Sequence, residues 1–358
     1  MTAASAERIV TSAGGAAQAV NRPGRVTNTR GRLLGLAALV VLLGLSFLAS
    51  LVFGAKGLGL SEVWAGLHHD DGGEAAYIVR ELRLPRAVLG LVVGAALGVS
   101  GALIQALTRN PLADPGILGV NAGAGFFVTM GIAFFGAHAI SQYLWFAFAG
   151  AIIVTVLVYL LGSVGRVGAT PIRLTLVGVA LGALLGGITS GITMLNPKAF
   201  DSMRSWSAGS LSGRGWDILW AVLPWILLGL ALALLAGPAL NAVALGDDLA
   251  RSLGANILRT RIIVILAVTL LAGAATGAIG PVGFVGLMVP HVVRWFVGPD
   301  QRWILPYTIL AAPILLISAD VIGRLVLAPQ ELQVGIVTAF VGAPVLIALA
   351  RRKKVSGL

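Results

Sequence analysis

Long uncharged apolar runs alternate along this chain with short segments that hold nearly all its charge. The runs fall at about 33–54, 85–107, 116–137, 142–163, 172–195, 217–237, 262–280, 283–297, 303–327 and 333–350. At about 1.5 Å rise per residue, most are long enough to cross a hydrocarbon core of roughly 30 Å as an α-helix. The pattern predicts an all-α polytopic membrane protein with about ten transmembrane helices. The eighth run is short and contains Pro290, so either a full crossing or a half-depth, tilted helix packed within protein fits it.

The second run shows what its helix packs against. Gly90, Gly94, Gly98 and Ala102 recur every four residues and fall on one face, where missing side chains let another helix approach closely. The same spacing returns at Gly178, Gly182 and Gly186 and at Gly273 and Gly277, predicting further tight packing. The second run breaks at Asn110-Pro111 and Asp114-Pro115-Gly116, because proline disfavours helical geometry in the residue before it.

Composition agrees with membrane residence. The chain is 58% hydrophobic and 11% charged, against about 25% charged in soluble domains. A net charge of +11 could suggest nucleic acid, but the basic residues lie in short connections rather than on one basic face with aromatics, so no nucleic-acid partner is expected. With the N-terminus inside, all of the 25 Lys and Arg fall on the inner side except Lys56, Arg80, Arg83, Arg86, Lys198, Arg204, Arg214 and Arg324, which favours both termini in the cytoplasm. Residues 1–32 are expected to be a disordered cytoplasmic tail, residues 33–350 one transmembrane domain among membrane lipids, and residues 351–358 a basic cytoplasmic tail. There is no cysteine, which excludes disulfides and thiolate metal sites.

Candidate chemistry is sparse. No lysine is followed by Ser or Thr, so there is no G-K-[ST] phosphate loop. Asp320, Arg324 and His291 are the notable ionisable residues within runs; Asp320 and Arg324, four apart on a helix, can neutralise each other, and His291 has no second ligand at a fitting spacing. No catalytic or metal site is expected. Residues 244–261 predict a short amphipathic helix outside the bilayer: Asp247 and Asp248 suit its start, Leu249 and Leu253 share a face, and Gly254 suits its stop. By itself such a helix could lie on the membrane interface. His68, His69, Asp70 and Asp71 suit a solvated loop before Gly72-Gly73. The segment from Asn196 to Trp216, with Trp206 and Trp216, is either an aromatic belt or a lid over a pathway. Arg83 and Arg86, flanking Pro85, and Arg324 stand on the side where basic residues are disfavoured; snorkelling, pairing with Asp320, or a docking role all fit.

The run R-L-P-R, the Gly/Ala helix after it, N-P-L-A-D-P-G-I-L-G, G-P-V-G-F-V-G-L-M-V-P-H and the terminal V-G-A-P-V-L-I resemble, in order over about residues 60–350, the permease subunits of type II ABC importers. That family moves iron–siderophore complexes, haem or cobalamin. The resemblance implies a type II permease fold acting as half of a transmembrane dimer, with a second copy or a paralogue as partner. It implies an ABC ATPase dimer that binds ATP and Mg, this chain being no enzyme and carrying no cofactor of its own, and an extracytoplasmic substrate-binding protein. It places ATPase coupling on Gly246, Asp247, Asp248, Leu249, Arg251, Leu253 and Gly254, within the stretch Gly246 to Arg261. It places binding-protein docking on Arg83, Arg86 and Arg324, and the pathway on the fifth helix, where Thr189, Ser190 and Thr193 are candidates. It implies a bacterial cell membrane, and iron–siderophore as cargo on the family's breadth alone.

Overall fold

The computed structural model describes residues 24–351, except 27, 69–72, 138, 165–169 and 253. All regular structure among them is helical: α1 (Thr29–Val52), α2 (Leu60–His68), α3 (Glu74–Thr108), α4 (Val120–Phe135), α5 (Ile140–Ser163), α6 (Pro171–Leu195), α7 (Pro197–Ser207), α8 (Trp216–Ala244), α9 (Asp247–Ser252), α10 (Ile257–Ile279), α11 (Val285–Val297), α12 (Gln301–Val326) and α13 (Val334–Arg351). Seven of these are long and apolar enough to cross a membrane, namely α1, α3, α5, α6, α8, α10 and α12, and α4, α11 and α13 are shorter apolar helices. Together they are the ten runs of the sequence.

The bundle is built around α3, which packs against α8, α10, α11 and α12. Its glycine row makes this possible. A Cβ on Gly94 would lie 2.6 Å from Pro313 Cα, and one on Gly90 would lie 3.1 Å from the Ile317 side chain, while Gly98 meets Ala312 and Thr308. Backbone therefore lies against backbone along α3 and α12, and dispersion between close surfaces replaces the hydrophobic drive that lipid removes. Gly273 and Gly277 of α10 lie similarly close to Ala151 and Leu144 of α5. The row on α6 behaves differently. Gly178 sits on the Ile117 carbonyl of a 3₁₀ turn, but nothing lies within 4 Å of a Cβ on Gly186, Gly187 or Gly191. Only the first part of α6 leans on the bundle; Leu174 and Gly178 are its only buried residues among those described, so the expected tight packing at Gly186 is absent within this chain.

The chain enters at what we call the near end. Residues 24–26, expected within a disordered tail, are instead strapped along the end of α11: Arg25 N–H donates to the Trp295 carbonyl at 3.2 Å and Val26 N–H to Phe296 at 2.9 Å. Asn28 then caps α1, accepting from Gly31 N–H at 3.0 Å, which starts the helix at Thr29 rather than at 33. Residues 1–23 and 352–358 lie outside the described region.

The eighth run links both ends of the bundle. Ile279, the last residue of α10, accepts from Ser210 N–H at 2.7 Å at the far end, while the last turn of α11 carries the near-end strap. Residues 280–284 are non-helical, with positive φ at Gly280 (81°) and Phe284 (69°), and only 13 residues are helical, so the run begins as irregular backbone and continues as a short helix. Irregular backbone at membrane depth is tolerable only inside protein. Pro290 supplies no N–H, leaving the Gly286 carbonyl four residues earlier without its helical donor; Gln105 of α3 replaces it, donating Nε2 to Gly286 at 3.2 Å and to Leu287 at 3.0 Å.

Candidate functional site

Two polar constellations occupy the opposite ends of this apolar bundle. At the far end, Arg83 and Arg86 start the apolar part of α3, and Asp320 and Arg324 lie one turn apart on α12. Arg86 grips Asp320 with Nη2 at 2.7 Å and Nε at 3.0 Å, and reaches Glu331, in the connection to α13, with Nη1 at 2.8 Å. Arg324 Nη2 pairs at 3.1 Å with Asp320 Oδ2, the oxygen that Arg86 Nε also reaches. Burial alone would raise the Glu331 carboxyl, but the Arg86 guanidinium outweighs it and holds that group below the ordinary glutamate range.

The remaining guanidinium N–H groups serve a different purpose. The last carbonyls of a helix have no partner within it. Arg83 donates Nη1 to Leu51 at 2.7 Å and Val52 at 2.8 Å and Nη2 to Lys56; Arg324 donates Nη1 to Ser50 at 3.0 Å and Phe53 at 2.9 Å. Two arginines from α3 and α12 thus cap α1 from outside, which is the basic C-terminal cap of a helix delivered by other elements. Arg83 is 6% exposed and Arg324 2%. Arg83 and Arg324 lie beneath the far-end surface and Arg86 is half-buried, and helix carbonyls and carboxylates of their own chain take most of their N–H groups, with Arg324 Nε the exception.

The exposed basic groups of the far end lie elsewhere. α7, in the segment where an aromatic belt or lid was expected, buries Ala199, Met203 and Trp206 and turns Lys198, Phe200, Asp201 and Arg204 outward. Trp206 is packed inside, and Trp216 donates to the Arg80 carbonyl at 3.3 Å, so both tryptophans hold the segment to the bundle. Arg214 donates Nε to the Ala278 carbonyl at 2.8 Å, and burial pulls its guanidinium down to about 10, still cationic at neutral pH. Among the described residues no group of His, Cys, Asp and Glu could hold a metal. His68 bonds the Trp64 carbonyl at 3.0 Å; His69, Asp70 and Asp71 lie outside the described residues.

At the near end, α9 begins at the aspartate pair and is bracketed by Gly246 (φ 111°) and Gly254 (φ 81°). Leu249 is 49% exposed, whereas Leu253 lies outside the described residues. Among the described residues, Asp248 pairs with Arg251 of the same helix, at 3.3 Å. Asp247 turns back to the bundle, where it takes Arg109 on one oxygen and Arg261 Nη2 on the other at 2.7 Å. Burial pushes its carboxyl up, but the hydrogen bond from Arg109 and the charges of Arg261, Arg109 and Arg251 outweigh that and hold it below the ordinary aspartate range. In the sequence Arg109 is one inner-side charge among many, marked only by its place between the end of an apolar run and Asn110-Pro111.

On α6, Thr193 donates its hydroxyl back to the Thr189 and Ser190 carbonyls, both at 3.0 Å, the local bonding that such residues adopt in apolar helices. Ser190 is exposed and Thr189 half-buried. His291 is buried edge-on to Trp295, ring centroids 5.1 Å apart.

This architecture has counterparts among characterised proteins. The model of the FecCD transport family matches residues 42–352. The ferric enterobactin transport system permease protein FepD of Escherichia coli (strain K12) is 49% identical over 91% of this chain and 97% of its own length. The probable siderophore transport system permease protein YfiZ of Bacillus subtilis (strain 168) is 39% identical over 88% and 95%, and the hemin transport system permease protein HmuU of Yersinia pestis 35% over 90% and 96%. Among solved structures, an inward-facing metal-chelate type ABC transporter superposes with a TM-score of 0.77 at 28% identity, covering 88% of this chain and 98% of the other. A family match over most of the chain, relatives that agree nearly end to end, and the same helical fold leave one conclusion: this polytopic membrane protein belongs to the FecCD transport family, whose members here are permeases of ABC importers.

Proposed function

We propose that this chain forms the translocation pathway of an ATP-driven importer for iron–siderophore complexes. It sits in the bacterial cell membrane with the near end, rich in arginine, in the cytoplasm. The observation that carries the energetic half of the reading is α9: a helix held out between two glycines, with Leu249 exposed, on a chain that has no phosphate loop of its own. Such a helix suits docking into a partner, and the partner is an ABC ATPase dimer that binds ATP and Mg. Gly246, Asp247, Asp248, Leu249, Arg251, Leu253 and Gly254 are its contact stretch. Residues 33–350 act as one domain.

A second permease subunit covers α6. Its smooth face at Gly186, Gly187 and Gly191, beside exposed Leu184 and Ile188, suits close helix packing across a dimer axis, with Thr189, Ser190 and Thr193 beside the pathway. The siderophore reading rests on the relatives: the 49%-identical protein is named for ferric enterobactin, whereas the hemin permease stands at 35%. An extracytoplasmic binding protein docks on the far end. There Arg83, Arg86 and Arg324 shape the docking platform from beneath, and the exposed Lys198 and Arg204 of α7 meet its acidic groups. Uptake of ferric siderophore into vesicles, with and without the ATPase, tests this function. Accumulation that ignores ATP would overturn it.

A further inference from the structure

The contacts of α9 single out one side chain. Positive φ at Gly246 and Gly254 brackets this six-residue helix, no side chain packs within 4 Å of a Cβ position at either glycine, and only Ala250 of the helix is buried, so few side-chain contacts hold it to the bundle. Asp247 is the exception to this looseness. Its Oδ1 accepts from Arg109, which ends α3, and its Oδ2 accepts from Arg261, in the first turns of α10, at 2.7 Å. Arg109 also donates Nε to the Val243 carbonyl at 2.9 Å, in the last turn of α8. One carboxylate therefore joins α9 to three spanning helices, and two of them, α3 and α10, have 83% of their most apolar stretch buried.

The backbone at Arg109 is a second, independent sign. It lies in the left-handed region at φ 52° and ψ 34°, uncommon for a residue with a side chain and kept only where surroundings impose it. That conformation ends α3 and sends the Arg109 side chain toward α8 and α9. A glycine there would relieve the strain but could not reach the carboxylate.

We infer that Asp247 is the positioning residue that transmits movement of α9 to α3 and α10, the Arg109–Asp247–Arg261 triad acting as a rigid link across an otherwise hinged loop. This rests on the reading that α9 seats on an ATPase. Without the link, α9 can follow the ATPase while Gly246 and Gly254 absorb its displacement, so ATP is hydrolysed and the inner ends of α3 and α10 stay where they are. The carboxylate has a shape reason as well as a charge reason: two oxygens face two guanidinium groups, each a strong charge-assisted bond, and an amide offers only one acceptor.

The test uses the full complex in proteoliposomes, with substrate transported per ATP hydrolysed as the readout. Asp247→Asn is expected to lose roughly 2- to 30-fold in transport per ATP hydrolysed by the assembled complex, the range typical of broken coupling elements. Arg109→Gln should do the same from the other side of the bond. Because the chain has no cysteine, Arg109→Cys with Asp247→Cys offers a unique pair; bridging it with a cleavable bis-thiosulfonate linker should restore transport per ATP, and cleaving the linker should abolish it. Wild-type coupling in Asp247→Asn, failure of the bridge to rescue, or loss of assembly in both single variants would overturn the inference. Wild-type protein that imports without ATP would instead overturn the function on which it rests.

Discussion

Gln105 and Pro290 are complementary halves of one backbone repair: the carbonyl that Pro290 leaves without a donor, on Gly286, is the one Gln105 Nε2 reaches at 3.2 Å. The bond crosses between α3 and α11 where Gly101 brings the two backbones together. It lets a proline stand in the middle of a 13-residue helix inside the bundle.

Replacing Gln105 with Leu keeps volume and leaves the Gly286 and Leu287 carbonyls without this donor. A buried acceptor left unsatisfied costs about 1–3 kcal/mol. We expect a lower Tm for the purified protein in detergent, with helix content retained; an unchanged Tm would show that the carbonyls find other donors.

The far-end arginines separate two effects. Arg86 is gripped between Asp320 and Glu331, with the Arg86 and Asp320 side chains 11% and 3% exposed. Arg86→Leu leaves Asp320 with Arg324 as its remaining partner and Glu331 without its ion pair, and is expected to lower Tm by less than the loss of about 3–5 kcal/mol that a fully uncompensated buried charge brings. Lys198→Gln with Arg204→Gln touches only exposed charge, so Tm should hold while binding-protein association slows and loses much of its salt dependence. Unchanged association in the double variant would place docking elsewhere.

Arg294 makes the opposite prediction from the same physics. It is 5% exposed, and none of its three guanidinium nitrogens has a hydrogen-bond partner among the described residues. A buried, unpaired charge carries a desolvation penalty that no partner offsets, so an apolar replacement of similar length should stabilise the fold. Arg294→Met should raise Tm, and a fall would mean that the folded protein pairs this charge.

Asp247 gives a pH signature. Its folded-state carboxyl is held below the ordinary aspartate value, so the native state favours the ionised form and binds fewer protons than the unfolded chain. The stabilisation is therefore present above about pH 4 and is lost as pH falls through the depressed value. The Tm difference between wild type and Asp247→Asn should be flat near neutrality and shrink below about pH 4. A difference that grows with acid would reverse the sign of the interaction.

The sequence made the helices legible because lipid imposes a length and a polarity that single runs can report. Gly90, Gly94 and Gly98 could be read as a packing face for the same reason, since one helix carries the whole pattern. What single runs cannot report is a bond between runs. The positive-inside rule registers Arg83 and Arg324 as charges on an unfavoured side, but the acceptors that explain them are carbonyls of α1, which every residue carries and no sequence pattern marks. Arg109 and Asp247 are separated by 138 positions, and only the fold brings them together. Gly186 shows the converse: the spacing promised a close partner, and within this chain the helix that bears it faces open space, so a local pattern names a kind of surface without naming what covers it.

The most direct test of the account is uptake of radiolabelled ferric siderophore by proteoliposomes holding this chain with the ATPase and binding protein of its own system. The account predicts accumulation that requires ATP inside the cytoplasmic compartment, stops with a hydrolysis-dead ATPase and is unaffected by collapsing the proton gradient. Accumulation driven by a proton gradient in the absence of ATP would contradict it.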